Sequence, residues 1–146
     1  MELITRNVCK ASNIGVHGNL FGGTMLSWID EAGAILASNI CNTNKMVTLK
    51  MSEVVFKKSV KTGNQIWIYG KVVSIGNTSI TLELEARQND VYSSRQKAVC
   101  TTKVTFVRID DDGDPTPISS RVKKKHEKLM SEKQETTKQE TTKPKA

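Results

Sequence analysis

The residues with the clearest chemical potential lie in the string GNLFGGTMLSWIDEAGA, residues 18–34, where Gly22 and Gly23 precede Asp30 by about two helical turns. If a helix starts at the glycine pair, its first backbone N–H groups lack intrahelical acceptors and carry a partial positive charge, which suits them to hold an oxyanion. Glycine there lets a substrate carbonyl approach the backbone without a side chain in the way. Asp30, at 100° per residue, falls about 80° from the centre of the apolar face, on its border, while Glu31 points to solvent. A carboxylate so placed serves as a general base or nucleophile, or is simply satisfied by a hydrogen-bond partner. The glycines equally suit a tight turn into a helix.

Other chemistries find little support. The two histidines, His17 and His126, are far apart in sequence, and there is no G-x-S-x-G elbow, P-loop or G-x-G-x-x-G. No Cys/His spacing suggests a metal, so we expect no metal and no resident cofactor. The acidic string DDDGD (Asp110, Asp111, Asp112, Asp114) lacks the later bidentate glutamate of a calcium loop and reads as a solvated turn. Three cysteines, Cys9, Cys41 and Cys100, form neither a disulfide framework nor a zinc set and read as reduced thiols of a cytoplasmic protein.

The elements that must position these groups are legible. Leu26, Ile29, Gly33, Leu36, Ala37 and Ile40 recur at three- and four-residue steps, predicting one helix over 23–41. Its many small residues let a sheet approach closely, so it should be central. A strand is expected at Glu2 to Val8. Val47, Leu49 and Met51 alternate as in a half-buried strand. Residues 65–75 are apolar on both faces (Ile66, Trp67, Ile68, Tyr69), as in a strand covered twice. Ile80 to Arg87 alternate with one wet face, and Ala98 to Phe106 form a last strand. Turn signals at Thr62-Gly63-Asn64, Gly76-Asn77 and Gln88-Asn89-Asp90 separate them. The result is an α+β class: one long helix and an antiparallel sheet wrapped around it.

With 146 residues and a net charge of +7, the chain is one domain with a tail. The charge sits mostly at the end: residues 121–146 hold nine Lys/Arg and four Asp/Glu, whereas residues 1–120 hold thirteen and eleven. We therefore divide the chain into a domain over 1–120 and a basic tail over 121–146. Residues 122–133 could extend a helix, on a thin apolar face of Val122, Leu129 and Met130. The repeat QETTK, at 134–138 and 139–143, has no apolar residue and is expected to be disordered. Clustered lysines bind phosphates, but no aromatic interleaves with them, so nucleic acid is not an expected partner. No window approaches the ~18 apolar residues of a membrane span, and the N-terminus has no apolar leader core.

The string GNLFGGTMLSWIDEAGAILAS, followed by VVFKKSVKTGNQIWIYGKVVSIGNTSITLELEA and the closing VRIDDDGDPTPI, resembles the hot-dog-fold acyl-CoA thioesterases, in their YciA-like, cytosolic acyl-CoA thioester hydrolase branch. The pieces F-G-G, W-I-D-E-A-G-A-I, V-x-F, G-N and G-x-T-S-I follow the family's order, and the resemblance spans residues 4–117. It implies hydrolysis of acyl-CoA to a free acid and CoA without metal, coenzyme A entering only as part of substrate and product. It implies active sites between two protomers, with a homodimer as the minimum and tetramers or hexamers beyond. By position, Asp30 would be the catalytic carboxylate, the Gly22 N–H would polarise the thioester carbonyl, and Gly23 would permit close approach.

The same resemblance implies that Thr48 reaches the facing protomer's site and orients water. The loop Gly76-Asn77-Thr78-Ser79 would approach CoA, and Lys57 and Lys58 would meet its phosphates. Gly15 stands where many relatives carry an asparagine, leaving Asn13, His17 and Asn19 as candidates to orient water. Phe21 replaces the histidine of the phenylacetyl-CoA branch, and Ser59 stands where proline is common. Met25, Trp28 and Met46 are candidates for the wall of an acyl tunnel. A non-catalytic acyl-CoA-binding sensor of the same fold is the alternative, to which Asp30 would be of no use. A dehydratase of this fold needs a histidine with its helix acid, and none lies between Gly18 and His126.

Overall fold

The long helix expected from the small-residue run is present as α1, Gly22–Cys41, in a computed structural model that describes residues 1–142. Asn42 ends it in the left-handed region, with φ of 54°, a conformation asparagine tolerates better than most residues. Five strands surround it: β1 (Glu2–Val8), β2 (Met46–Phe56), β3 (Gln65–Ile75), β4 (Ser79–Asn89) and β5 (Gln96–Arg108). They form one antiparallel sheet in the order β1-β3-β4-β5-β2. This is the hot-dog arrangement, the sheet wrapped about the central helix. Among the described residues, no helix is long and apolar enough to cross a membrane.

The core lies between the helix and the inner face of the sheet. Ile66 and Ile68 of β3, Ile80, Leu82 and Leu84 of β4, and Val104 and Phe106 of β5 are completely buried beneath Ile29, Ala32 and Ala37 of α1. Alternation puts every second residue of β4 and of the first half of β3 on that face. Gly33 is the closest approach: a Cβ there would lie 2.9 Å from Leu84 Cδ1 and 2.9 Å from Phe106 Cζ. A bare backbone is what lets α1 seat on β4 and β5.

Three expectations need correction. Among the described residues, no second layer covers the outer face of β3. Trp67 and Tyr69 are only half-buried there, and the guanidinium groups of Arg6 and Arg87 lie over them, 4.2 and 4.0 Å from the ring centroids. Cation–π contact and the arginine stems take the place of a layer. On β2, two of the three residues expected to be half-buried are exposed, Val47 at 42% and Leu49 at 63%, whereas Met51 packs partly buried against the core. The strand pairs only with β5, at one end of the sheet, and register shifts between Thr48 and Lys50 and between Ser52 and Val55 re-aim its side chains.

The third correction concerns the end of the chain. Where we expected a disordered repeat, a second helix, α2 (Ser120–Thr142), runs through it. Ser119 Oγ accepts the Val122 N–H at 3.3 Å, and Ile118 and Val122 are buried against the body, so the first turn is anchored. Propagation from an anchored turn costs far less than nucleation, and Gln, Glu and Lys are good helix formers. Thr136, Thr137 and Thr141 donate to the carbonyls of Glu132, Lys133 and Thr137. Residues 143–146, also part of the disorder expectation, lie outside the described residues. DDDGD forms the expected turn: Asp110 Oδ1 accepts the N–H groups of Asp112 and Asp114, and Gly113 takes φ of 84°.

Candidate active site

The start of α1 is built to leave donors open. Phe21 precedes it with extended backbone, and no side chain caps the helix. The Leu20 N–H donates to the Val60 carbonyl (2.7 Å) and the Phe21 N–H to the Asn13 carbonyl (2.9 Å), which fixes the entering chain. Thr24 and Met25 return their N–H groups to the Phe21 carbonyl. Among the described residues, no acceptor takes the N–H of Gly22 or Gly23. Two aromatic rings flank these glycines: Phe56 Cζ would lie 3.4 Å from a Cβ on Gly22, and Phe21 Cε1 2.8 Å from one on Gly23. Sequence spacing offered no sign of the Phe56 contact, because it joins the far end of β2 to the helix start.

Asp30 is half-buried on the flank of α1, and Glu31 is exposed, both as their helical angles require. Thr48 Oγ1 donates to Asp30 Oδ1 at 2.6 Å. Thr48 thereby meets the aspartate of its own chain. Strand β2 passes along α1 at that level, and its free edge leaves Thr48 exposed. Asp30 Oδ2 has no partner among the described residues, and no cation pairs with this carboxylate there. The site thus offers one oriented carboxylate oxygen for a proton and, elsewhere on the same helix, open N–H donors for an oxyanion.

These two halves are well separated. Asp30 lies eight positions after Gly22, about 12 Å along the axis at ~1.5 Å per residue. One carbonyl cannot touch both on a single chain.

The remaining candidates divide into groups. Asn19, Lys57 and Lys58 share with Gly22 a cavity of about 350 Å³ at the helix start. Asn19 Oδ1 accepts from Lys61 Nζ. Asn13 Oδ1 accepts the Lys10 N–H at 2.9 Å, so its side chain shapes the turn that receives Phe21. His17 stands exposed at the tip of the turn between the bridged Ile14 and Leu20, and nothing brings it to Asp30. The loop Gly76-Asn77-Thr78-Ser79 is tied to the start of α2: the Ile118 N–H donates to the Asn77 carbonyl (2.8 Å) and Lys123 Nζ to Asn77 Oδ1 (3.0 Å). That link was not readable from sequence, since Lys123 lies 46 residues away in a segment expected to be a tail. Among the tunnel candidates, Met25 lines the cavity beside Gly22, Trp28 packs partly buried on the core, and Met46 is buried.

The thiols stand apart from this chemistry. Cys9, Cys41 and Cys100 are unpaired and buried. Burial raises all three above the usual thiol range, a nearby Arg108 partly countering the effect at Cys41, and Cys100 is pushed up to about 11.

Comparison with known proteins places this geometry. The thioesterase superfamily pattern matches residues 17–94, which include the helix start, Asp30 and Thr48. An uncharacterized acyl-CoA thioester hydrolase of Buchnera aphidicola is 33% identical over 117 residues, covering 78% of this chain and 86% of that protein. The acyl-CoA thioester hydrolase YciA of Salmonella typhimurium is 31% identical, covering 80% and 90%. Among solved structures, a hexameric hot-dog-fold thioesterase of Campylobacter jejuni is 40% identical with a TM-score of 0.79, covering 86% of this chain and 96% of that one. A hexameric broad-specificity acyl-coenzyme A thioesterase, solved as an aspartate-to-alanine mutant, superposes with a TM-score of 0.82 at 28% identity, covering 90% and 98%. The shared sequence, the shared fold and the placement of the helix start within both lead to one assignment: this chain belongs to the thioesterase superfamily, beside the YciA-named thioester hydrolases.

Proposed function

We propose that this protein hydrolyses acyl-CoA thioesters to a carboxylic acid and CoA, with Asp30 as general base and the Gly22 N–H as oxyanion donor. The observation that carries this reading is the Asp30 carboxylate, aimed by Thr48 through Oδ1 and left with a free Oδ2. Family membership supports the reaction class. In the step we envisage, Asp30 takes a proton from water as the water oxygen bonds to the thioester carbon. The carbonyl electron pair moves to oxygen, facing the Gly22 N–H. Collapse of this intermediate breaks the C–S bond, and the thiolate leaves with the proton that Asp30 had taken. A thioester is already activated and thiolate is a good leaving group, so one carboxylate and one donor suffice.

The separation of about 12 Å between Gly22 and Asp30 supports a site shared by two chains, the donor from one protomer and the carboxylate from its partner. The apolar residues exposed on β2, among them Val47, Leu49 and Val55, support association along this edge. We therefore infer a homo-oligomer with a dimer as its smallest active form; hexameric relatives support further assembly. Lys57, Lys58 and the Gly76–Ser79 loop are assigned to CoA. The three unpaired, buried thiols support a reducing compartment such as the cytoplasm.

The test is thiol release from a panel of acyl-CoAs, acetyl to palmitoyl, with wild-type protein and Asp30→Ala, both checked for fold by circular dichroism and for assembly by sedimentation. Turnover abolished by the substitution is the expected result. Turnover that survives it would remove Asp30 from the mechanism. Acyl-CoA binding with no turnover across the panel would make the protein a sensor instead.

A further inference from the structure

We propose that Phe56 sets the acyl-chain length this protein accepts, its ring forming the wall of an acyl pocket that opens beside Gly22. The inference rests on the thioester reading above and adds to it the location of the acyl group and the residue that limits it. The cavity of about 350 Å³ at the helix start has an apolar floor of Leu20, Met25 and Val60. Met25 and Val60 are each only 3% exposed, so this floor belongs to the packed core and is not free to widen. The Phe56 ring closes one side, and its Cζ reaches 3.4 Å from where a Gly22 Cβ would be.

A carbonyl held at the Gly22 N–H has two substituents, the acyl carbon and the sulfur, and they must leave in different directions. Hydrocarbon is favoured against the apolar floor, where each methylene is removed from water. The polar arm of CoA is favoured over the wet rim, where Lys57 and Lys58 follow Phe56 in the chain. Both lysine N–H groups bond to the Val99 carbonyl, at 2.8 and 3.4 Å, which pins the end of β2 and hence the root of the ring. The ring itself is 53% exposed, so it is anchored at its backbone and adjustable at its tip. The other ring at the helix start, Phe21, is 62% exposed, packs toward Gly23 and does not line the cavity.

The experiment measures two ladders with the full chain. One is the affinity of non-hydrolysable S-alkyl-CoA thioethers from ethyl to hexadecyl, by calorimetry; the other is kcat/KM for the matching acyl-CoAs. Wild type, Phe56→Ala, Phe56→Leu, Phe56→Trp and Phe21→Ala are compared after checks of fold and assembly. Phe56→Ala should move both ladders toward longer chains, changing the long-to-short ratio by roughly tenfold or more, and Phe56→Trp should move them the other way. Free CoA should bind all variants alike. Should Phe56→Ala misfold, the leucine and tryptophan variants carry the comparison. Ladders parallel to wild type in the Phe56 variants, or an equal displacement by Phe21→Ala, would overturn the proposal. A length-dependent thioether ladder that Phe56 displaces, with no hydrolysis by wild type, would instead overturn the hydrolase reading and leave the pocket standing.

Discussion

Thr48 Oγ1 reaches 2.6 Å from Asp30 Oδ1, so an edge strand holds the carboxylate of the central helix in one orientation. A hydrogen bond to a charged group contributes about 1.5–3 kcal/mol. Thr48→Val should therefore lower kcat by roughly ten- to a hundredfold, with KM little changed, because the carboxylate loses its aim while the substrate contacts remain. Thr48→Ser restores the donor and should recover most of the rate. A loss in KM alone, or no rescue by serine, would show that the hydroxyl has no positioning role.

Asp30→Asn keeps an oxygen for Thr48 but removes the proposed base. General-base catalysis supplies about 10²–10⁴ in rate, and a drop of that size in kcat is expected. Asp30 is half-buried and makes no ion pair among the described residues, so the urea midpoint should barely change. In H₂¹⁸O with enzyme in excess over substrate, the label should enter the released acid and not the wild-type protein. Label in Asp30 after one turnover would make it a nucleophile.

At Gly33 the issue is volume. A methyl group there meets Leu84 and Phe106, both buried, at 2.9 Å. Gly33→Ala should cost about 1–3 kcal/mol in chemical denaturation, as overpacking of a tight core does. This exceeds any gain from alanine's higher helix propensity, which is about 1 kcal/mol. A stabilised variant would mean that α1 lifts from the sheet without penalty.

Cys100 links stability to alkaline pH. Its thiol is raised to about 11 by burial, against 9.0 when exposed. The folded state therefore keeps the proton through an interval in which the unfolded chain releases it. Stability that is complete below pH 9 should decline as pH rises to about 11, by roughly 2–3 kcal/mol from this group. Cys100→Ala should flatten that part of the curve, although it lowers stability overall by leaving a small void. At pH 8 the native protein should resist thiol reagents, and urea should expose all three cysteines.

Helix α2 divides into a docked start and an exposed end. Removing residues 134–146 should leave the melting temperature nearly unchanged, since the described side chains of 134–141 are exposed. Removing everything from Ser120 strips Val122 from the core and unties Lys123 from Asn77, and should lower both stability and CoA affinity. Equal effects of the two truncations would contradict this division.

What the sequence disclosed followed local pattern. The bounds of α1 were visible because apolar and small residues recur on one face, and β4 because Ile80, Leu82, Leu84 and Ala86 alternate cleanly. Asp30 was legible for the same reason, since a helical angle follows from spacing alone. The outward turn of β2 was not, because alternation says which residues share a face and not whether anything covers it. Thr48 was singled out, but its partner lies 18 residues away across a loop, and only the register of β2 against β5 brings the two together. The helical repeat in α2 is not legible in the sequence because it depends on an anchored first turn rather than on apolar residues of its own.

The bare contact at Gly33 also bears on how this enzyme can change. Position 33 lies one turn from Asp30, about 4.5 Å along the axis, so the side chains of Leu84 and Phe106 act as the stop against which the helix comes to rest. Shaving either one would let α1 sink or roll, and the carboxylate would then shift relative to the Thr48 hydroxyl. Substitutions deep in the sheet are thereby coupled to the Asp30–Thr48 hydrogen bond, and a repacked core calls for a matching adjustment of strand β2.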